Sequence, residues 1–381
     1  MTGVDGDDPG RGERVNLPAN GQGEAFTLEF LRFGPKGGRP KAYLQAGLHA
    51  DELPGMLVLK KLAEALARLE SEGCVLGEIV LAPAANPIGL SQIEGGYMRG
   101  RTEARTGRNF NRGFPDLAAL VKEQVAGRLG DDAASNVAVI RKAFRETVSV
   151  LPRPDAATAL QLALFEEACD ADIALDLHAD NEALLHLYVG KPSWPDAEDL
   201  AAELDARAVL LTDRSGGEPF DEACGDPWRQ LAELFPGHPI PQACLAATLE
   251  LRSNNHVTHE DSDRDMRALL RFLVRRRLLA GEPRGLPRLL ADAHDVRAMH
   301  QLRSPVSGLV VYRLKLGDRV RKDDLVAEII PLQGEPVEIV AETDGVLFAR
   351  HDQAWAWPDK VIGKIAGRDA LVAPDKKIMT D

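Results

Sequence analysis

Several short stretches of this chain place imidazole, carboxylate or guanidinium groups where they could do chemistry. The first is His49-Ala50-Asp51-Glu52. An imidazole nitrogen and a carboxylate oxygen offered at this spacing can converge on one divalent cation at about 2.0–2.2 Å. The same spacing also suits a polar pair that merely closes a turn. The second is His178, which ends the apolar run Ala-Asp-Ile-Ala-Leu-Asp-Leu-His. Asp176 shares its strand face by the period of two and is placed to orient the ring. A hydrogen-bonded polar residue at a strand end is the simpler role. The third is Glu250, in Ala-Thr-Leu-Glu-Leu-Arg. A buried carboxylate in an apolar strand is costly unless it is paired or employed. Either Arg252, on the same face, neutralises it, or a raised pKa makes it a general base. Last, Arg99, Arg101, Arg105, Arg108 and Arg112 crowd into one loop with Asn109 and Asn111. Guanidinium forks grip carboxylates and polarise carbonyl oxygens. They also hold loops together through ion pairs.

The elements that must carry these residues follow from hydrophobic periodicity. Residues 25–33 and 41–49 read as strands, 56–73 as a helix with Pro54 before it and Gly73 at its end, and 77–86 as the next strand. Strand, helix and strand in that order imply a parallel crossover and an α/β sheet. Residues 86–116 carry no regular pattern, and a loop of that length in a compact domain is usually functional. Helical text covers 117–129, 133–149 and 156–169, and the apolar strand to His178 follows. Further strands at 182–190, 208–214 and 242–252 alternate with helices at 197–207, 227–235 and 260–280. Residues 1–20 are rich in Gly, Asp and Pro and read as a mobile leader. Residues 21–290 then form one α/β domain that ends in the linker Glu-Pro-Arg-Gly-Leu-Pro-Arg-Leu-Leu. Beyond it, 291–381 lose the helical period and become short alternating strands split by turns at Gly317-Asp318 and Asp344-Gly345.

Composition narrows the partners. The 381 residues carry a net charge of −13, which repels phosphate backbones and anionic lipid. No nucleic-acid or membrane partner is therefore expected, and the basic run at 275–277 suits the carboxyl end of a helix. Neither a signal-peptide core nor a transmembrane run is visible, so the expected location is the cytoplasm. Cys74, Cys169, Cys224 and Cys244 are too far apart for a thiolate metal site and are expected to be reduced. Any metal must be held by His and carboxylates. His256 and His259 have no carboxylate pattern beside them that would recommend a second site.

Taken in order, His49-x-x-Glu52, Asn86-Pro87, Asn111-Arg112 in NFNRGFPD, His178 in DLHAD and Glu250 in TLEL resemble the zinc carboxypeptidase superfamily. They are most similar to its succinylglutamate desuccinylase/aspartoacylase branch. The resemblance spans about residues 40–280, and that branch also carries a small C-terminal β domain. It implies a mixed, largely parallel sheet with flanking helices, followed by an all-β barrel-sandwich domain. It implies one zinc ion on His49, Glu52 and His178, with Glu250 as base. It further implies that Asn111 and Arg112 grip a substrate carboxylate, and that an upstream arginine, Arg101 or Arg105, polarises the scissile carbonyl. The motif here reads Asn-Phe-Asn-Arg where the family more usually has Asp-Leu-Asn-Arg, a difference expected to bear on substrate choice rather than on the metal. The implied activity is hydrolysis of an amide bond in a small anionic N-acyl amino acid. A carboxypeptidase acting on peptides and a non-catalytic metal- or anion-binding module are the competing readings.

The segment from Ser304 onward also resembles the strand pattern of biotinyl and lipoyl carriers. The stretch IIPLQGEPVEI, where a carrier presents its attachment site, has no lysine. That leaves the β domain two jobs: walling the entrance to the active site, or mediating contacts in a homo-oligomer.

Overall fold

The computed structural model describes residues 11–19 and 23–371. Strands β1 (Arg11–Asn16), β2 (Thr27–Phe33), β3 (Lys41–Ala46) and β4 (Glu78–Ala82) come first, with helix α1 (Pro54–Ser71) between the last two. The short helix α2 (Pro87–Ser91) and a tiny hairpin, β5 (Ile93–Glu94) and β6 (Tyr97–Met98), interrupt the long loop. Helices α3 (Leu117–Val125), α4 (Ala133–Ser149) and α5 (Ala156–Ala168) lead to β7 (Ile173–Asp180), β8 (Glu182–Ala183) and β9 (His186–Gly190). Then come α6 (Trp194–Glu203), β10 (Ala208–Thr212), α7 (Phe220–Leu234), β11 (Leu245–Ser253), α8 (His259–Arg275) and β12 (Ala293–Asp295).

Nine of these strands form one sheet in the order β1-β2-β4-β3-β7-β11-β9-β10-β12. Pairing is parallel except at β1-β2, β2-β4 and β11-β9. Helices α1, α6 and α8 cover one face around Leu59, Leu62, Leu200, Leu269 and Phe272. Helices α3, α4, α5 and α7 cover the other around Val121, Phe144, Leu160, Phe165 and Trp228. Cover on both faces is why the central strands read as unbroken apolar runs. Helices α3, α4, α5 and α8 start where the sequence provides a cap: Asp116, Asp132, Asp155 and Thr258 all accept a backbone N–H from the first turn. Among the described residues no helix is long and apolar enough to cross a membrane.

The last segment contains β13 (Met299–Arg303), β14 (Gly308–Tyr312), β15 (Arg319–Val320) and β16 (Leu325–Ile330). It continues with β17 (Val337–Val340), β18 (Gly345–Arg350), β19 (Trp355–Ala356) and β20 (Val361–Gly367). Two sheets, β13-β20-β18-β15 and β17-β16-β14-β19, enclose Leu302, Val326, Ile329, Leu347 and Ile365. The two domains are closely joined. Tyr188 and Leu210 of the large sheet pack with Met299 and Phe348 of the barrel in one apolar cluster.

Several elements depart from their sequence readings. Residues 1–10 and 20–22 lie outside the described residues, but 11–16 are a strand, not a leader. Glu13 on β1 reaches Arg32 on β2 at 3.1 Å, and Leu17 is buried. The run 182–190 is two strands, because Leu184 N–H bonds to Phe348 O at 2.8 Å and draws β8 onto the barrel's β18. β12 lies past the expected domain boundary at 290 and still pairs with β10, so the large sheet ends only at Asp295. Helix α7 begins at Phe220, one turn and more before Pro227, which it accommodates inside. Arg275 and Arg276 of the basic run are paired with Glu203 and Asp199. All of the cysteines are free.

Helix α1 lies unusually close to the sheet. A Cβ at Gly55 would stand 2.9 Å from the Cβ atoms of Ala46 and Leu177, and a Cβ at Gly127 would meet nothing within 4 Å. Gly55→Ala should therefore cost about 1–3 kcal/mol, read as a lower urea midpoint at unchanged slope. Gly127→Ala should stay within about 0.5 kcal/mol of wild type.

Candidate active site

His49, His178 and Glu250 come from neighbouring strands that run parallel, β3, β7 and β11, so their carboxyl ends share one sheet edge. Ligands of open α/β sheets bind outside that edge. His178 and Glu250 are register partners, and His49 follows the end of β3. The turn after β3 is closed by Glu52 N–H on His49 O at 3.1 Å. Asn86 braces it: its amide donates to Leu48 O at 2.8 Å, and its oxygen caps α2 through Gly89 N–H at 2.8 Å. Gly100 braces it from the other side, accepting Ala50 N–H at 3.1 Å. A Cβ on Gly100 would stand 2.2 Å from Asp51 N, so only glycine lets the arginine loop lie this close to the turn.

The central group is Glu52. One of its oxygens lies 3.0 Å from His49 Nδ1 and the other 2.7 Å from His178 Nδ1 and 3.1 Å from Ala179 N–H. Both rings thus aim the same nitrogen at one point, and ligand atoms of His49, Glu52 and His178 lie within 4.8 Å of one another. The opposite nitrogens are held from behind. His49 Nε2 bonds Asn109 Oδ1 at 2.9 Å, and His178 Nε2 bonds Asp176 Oδ2 at 2.8 Å. An Nε2–H donated to each of these acceptors leaves the Nδ1 lone pair free for a cation, the arrangement that fixes the tautomer of a metal-ligating histidine. The donor set, two imidazoles and a carboxylate, fits zinc.

Charge at this edge follows from burial. For Glu52, burial is outweighed by His49 and His178, which hold its carboxyl well below the usual range. Burial lowers His49, whereas Asp176 and Glu52 overcome it at His178 and raise that ring. Burial, reinforced by Glu52, pushes Glu250 up to about 8. Its Oε2 is buried without a hydrogen-bond partner. Arg252 does not neutralise it, because that side chain turns to an ion pair with Asp265. Burial, with Glu222 and Asp176 beside it, also lifts Asp221 to about 7.

The arginines of the loop separate. Arg101 reaches the centre, 3.3 Å from Glu52 and 3.2 Å from His49 Nδ1. Arg105 is exposed and lies outside the cavity lining, and Arg108 is engaged with Thr158 and Asp155. Arg112 lines the cavity and donates to Asn111 O at 2.8 Å. The Asn111 side chain accepts Phe220 N–H at 2.8 Å and sets its amide 3.3 Å from His178 Nε2, so it clips α7 to the site. The sequence reading names Asn109 only as a neighbour of the loop arginines, and passes over Gly100 and Asp221. Asn109 is also the position where the motif departs from its more usual form. It touches His49, so the departure also falls on the ring of a residue that could hold a metal.

Above the edge lies a cavity of about 450 Å³, walled by Glu52, Arg101, Arg112, Tyr188 and Glu250 and by Arg303, Arg350 and Lys364 of the barrel. A smaller one of about 70 Å³ continues past His49 and His178 to Thr212, Asp221 and Thr248.

Fold and site together define a mixed α/β protein with a buried His-Glu-His group, at the carboxyl edge of its sheet, that could hold a metal ion. The chain belongs to the succinylglutamate desuccinylase/aspartoacylase family: the model of that family's catalytic domain matches residues 38–275. It is similar to an N-alpha-acetyl-L-2,4-diaminobutyric acid deacetylase of Halomonas elongata, 26% identical over 321 residues, 83% of this chain and 78% of that one. A solved structure named for the family, from Shewanella frigidimarina NCIMB 400, superposes with a TM-score of 0.82 at 24% identity, over 94% of this chain and 97% of that one. A family protein from Shewanella amazonensis SB2B gives 0.79 at 26% identity, over 93% and 98%.

His49→Ala and His178→Ala should abolish stoichiometric zinc binding. Asn109→Ala should weaken it by about ten- to a hundredfold, and Asn109→Asp should tighten it, measured by competition with a chelator on protein of unchanged circular dichroism. A second expectation concerns pH. A folded-state pKa of about 8 against an ordinary 4.5 means that the folded protein holds this proton more tightly than the unfolded chain. Glu250 therefore costs stability as pH rises from about 4.5 towards 8. Metal-free Glu250→Gln should gain on wild type across that window, by up to about 1.4 kcal/mol per pH unit. Parallel pH curves for the two proteins would contradict it.

Proposed function

We propose that this chain is a zinc-dependent deacylase that hydrolyses the amide bond of a small N-acyl amino acid. The observation that carries the reading is the position of Glu250. Its Oε2 is buried without a hydrogen-bond partner, on the strand next to His178 and in the same cavity as Glu52 and Arg101. Family membership and the named deacetylase relative support the same chemistry. Held by His49, Glu52 and His178, zinc supplies Lewis acidity and an acidified water. Glu250 accepts the proton as water attacks the acyl carbon and returns it to the leaving amine. Arg101 faces the same point and stabilises the developing oxyanion, while Arg112 holds a substrate carboxylate. Arg101, Arg112 and Arg303 of the lining offer guanidinium groups for an anionic substrate, whereas Arg350 and Lys364 are paired with Glu182 and Asp180.

Metal analysis with a panel of N-acetyl, N-succinyl and N-formyl amino acids, assayed for amine release, tests this. Glu250→Gln should keep its zinc and lose at least about a hundredfold in kcat. Arg101→Ala should lose about 10²–10³ in kcat/KM, and Arg105→Ala less than about threefold. An active Glu250→Gln would require another base. Hydrolysis confined to peptides would make the protein a carboxypeptidase.

A further inference from the structure

The barrel sets one lysine against the large cavity that the hydrolysis itself does not use. Lys360 closes the turn between β19 and β20: its N–H bonds Trp357 O at 3.1 Å, and Asp359 before it takes a φ of +67°. The residue is 9% exposed, and among the described residues no carboxylate forms an ion pair with its Nζ. Two groups face that nitrogen, the Trp357 ring with its centroid at 3.9 Å and His351 Nε2 at 2.9 Å.

The far side of His351 decides where the proton between ring and lysine lies. Gln353 N–H donates to Nδ1 at 3.0 Å, so Nδ1 presents its lone pair and a neutral ring carries its proton on Nε2. An Nε2–H aimed at Nζ needs a lone pair there, and only an uncharged amine has one. An ammonium in its place would gain from the Trp357 ring but would set its own N–H against the imidazole N–H. Asp352 Oδ1, 3.0 Å from Nδ1, favours a charged ring, as Asp180 does from farther off. Burial, with Lys360 and Lys364 beside it, nonetheless holds His351 below its ordinary pKa. Burial lowers Lys360 as well, with Asp352 opposing it.

We propose that Lys360 is a nucleophilic amine, a covalent site in this cavity for small carbonyl compounds that carry a carboxylate. A desolvated lysine with no anionic partner is the form of that side chain that attacks carbonyl carbon. Its nitrogen adds to the aldehyde or ketone carbon, the carbonyl oxygen leaves as water with both amine protons, and an imine remains. No oxidant or reductant is needed. Arg303 supplies the counter-ion. Its Nη1 donates to Asp359 O at 2.8 Å and its Nη2 to Gln301 Oε1, which sets the guanidinium beside the Lys360 turn with further N–H groups for a carboxylate. This site does not rest on the deacylase reading, since neither the His-Glu-His group nor Glu250 takes part.

The test treats the full-length protein at neutral pH with glyoxylate and cyanoborohydride, which traps an imine as a stable carboxymethyl-lysine, and maps the adducts by peptide mass spectrometry. Lys360 should label about tenfold or more faster than Lys36 and Lys142, although their side chains are 67% and 62% exposed. Acetaldehyde, which has no carboxylate, should show a smaller preference for Lys360 over Lys142 than glyoxylate does. Arg303→Ala should bring the two preferences within about threefold of each other. Label that falls on Lys36 and Lys142 and spares Lys360 would overturn the nucleophile, and this comparison within wild type needs no variant that folds. Equal wild-type preferences for the two aldehydes would overturn the carboxylate requirement. An Arg303→Ala protein that keeps the full difference would overturn Arg303 as its partner.

Discussion

Glu52 is a carboxylate held out of water between two imidazole nitrogens, and its side chain is only 9% exposed. Keeping a charge in that position is expensive unless every lone pair is answered. The answers come from distant parts of the chain: His49 in its own turn, His178 and Ala179 at the end of β7, and Arg101 from the long loop. Each of these depends on something further back. His49 leans on Asn109, His178 on Asp176, and the turn itself on Asn86 and Gly100. The His-Glu-His group is therefore the point at which the sheet, the α2 segment and the arginine loop meet the same electrostatic demand.

Much of this was legible before any coordinates. Apolar runs that stop at a polar residue place that residue at a strand's end, and His49, His178 and Glu250 all lie at such ends. Parallel pairing then makes the ends adjacent, which periodicity suggests without fixing which strands are neighbours. What stayed hidden depends on contacts between segments far apart in sequence. Asn109 looks like one more polar loop residue until His49 is found against it. Gly100 resembles any loop glycine until the missing Cβ is seen to make room for Asp51 N. The pairing of Arg252 with Asp265, in place of Glu250, is decided by α8 packing beside β11. The strand at 182–190 was misread as continuous because alternation alone cannot reveal that its first residues serve a different sheet.

The arginine loop also clarifies how charge is distributed. Its members are not a diffuse basic patch. Arg108 is spent on holding the loop to α5, Arg101 and Arg112 face the cavity, and Arg105 remains at the surface. A strongly acidic chain thereby brings guanidinium groups to both cavities, where Arg101 and Arg112 stand among Glu52 and Glu250.

The pairing of β8 with β18 changes what the linker before the barrel means. Within a few residues of His178, Asp180 pairs with Lys364 and Glu182 is held bidentately by Arg350 at 2.6 and 2.8 Å, both partners belonging to the barrel. The peptide joint near residue 290 is thus a covalent seam but not a mechanical one. Separating the barrel would strip hydrogen bonds and counter-ions from the strand that carries His178. The barrel is consequently not an interchangeable module: a foreign barrel grafted at that seam would need to bring its own equivalents of Lys364 and Arg350.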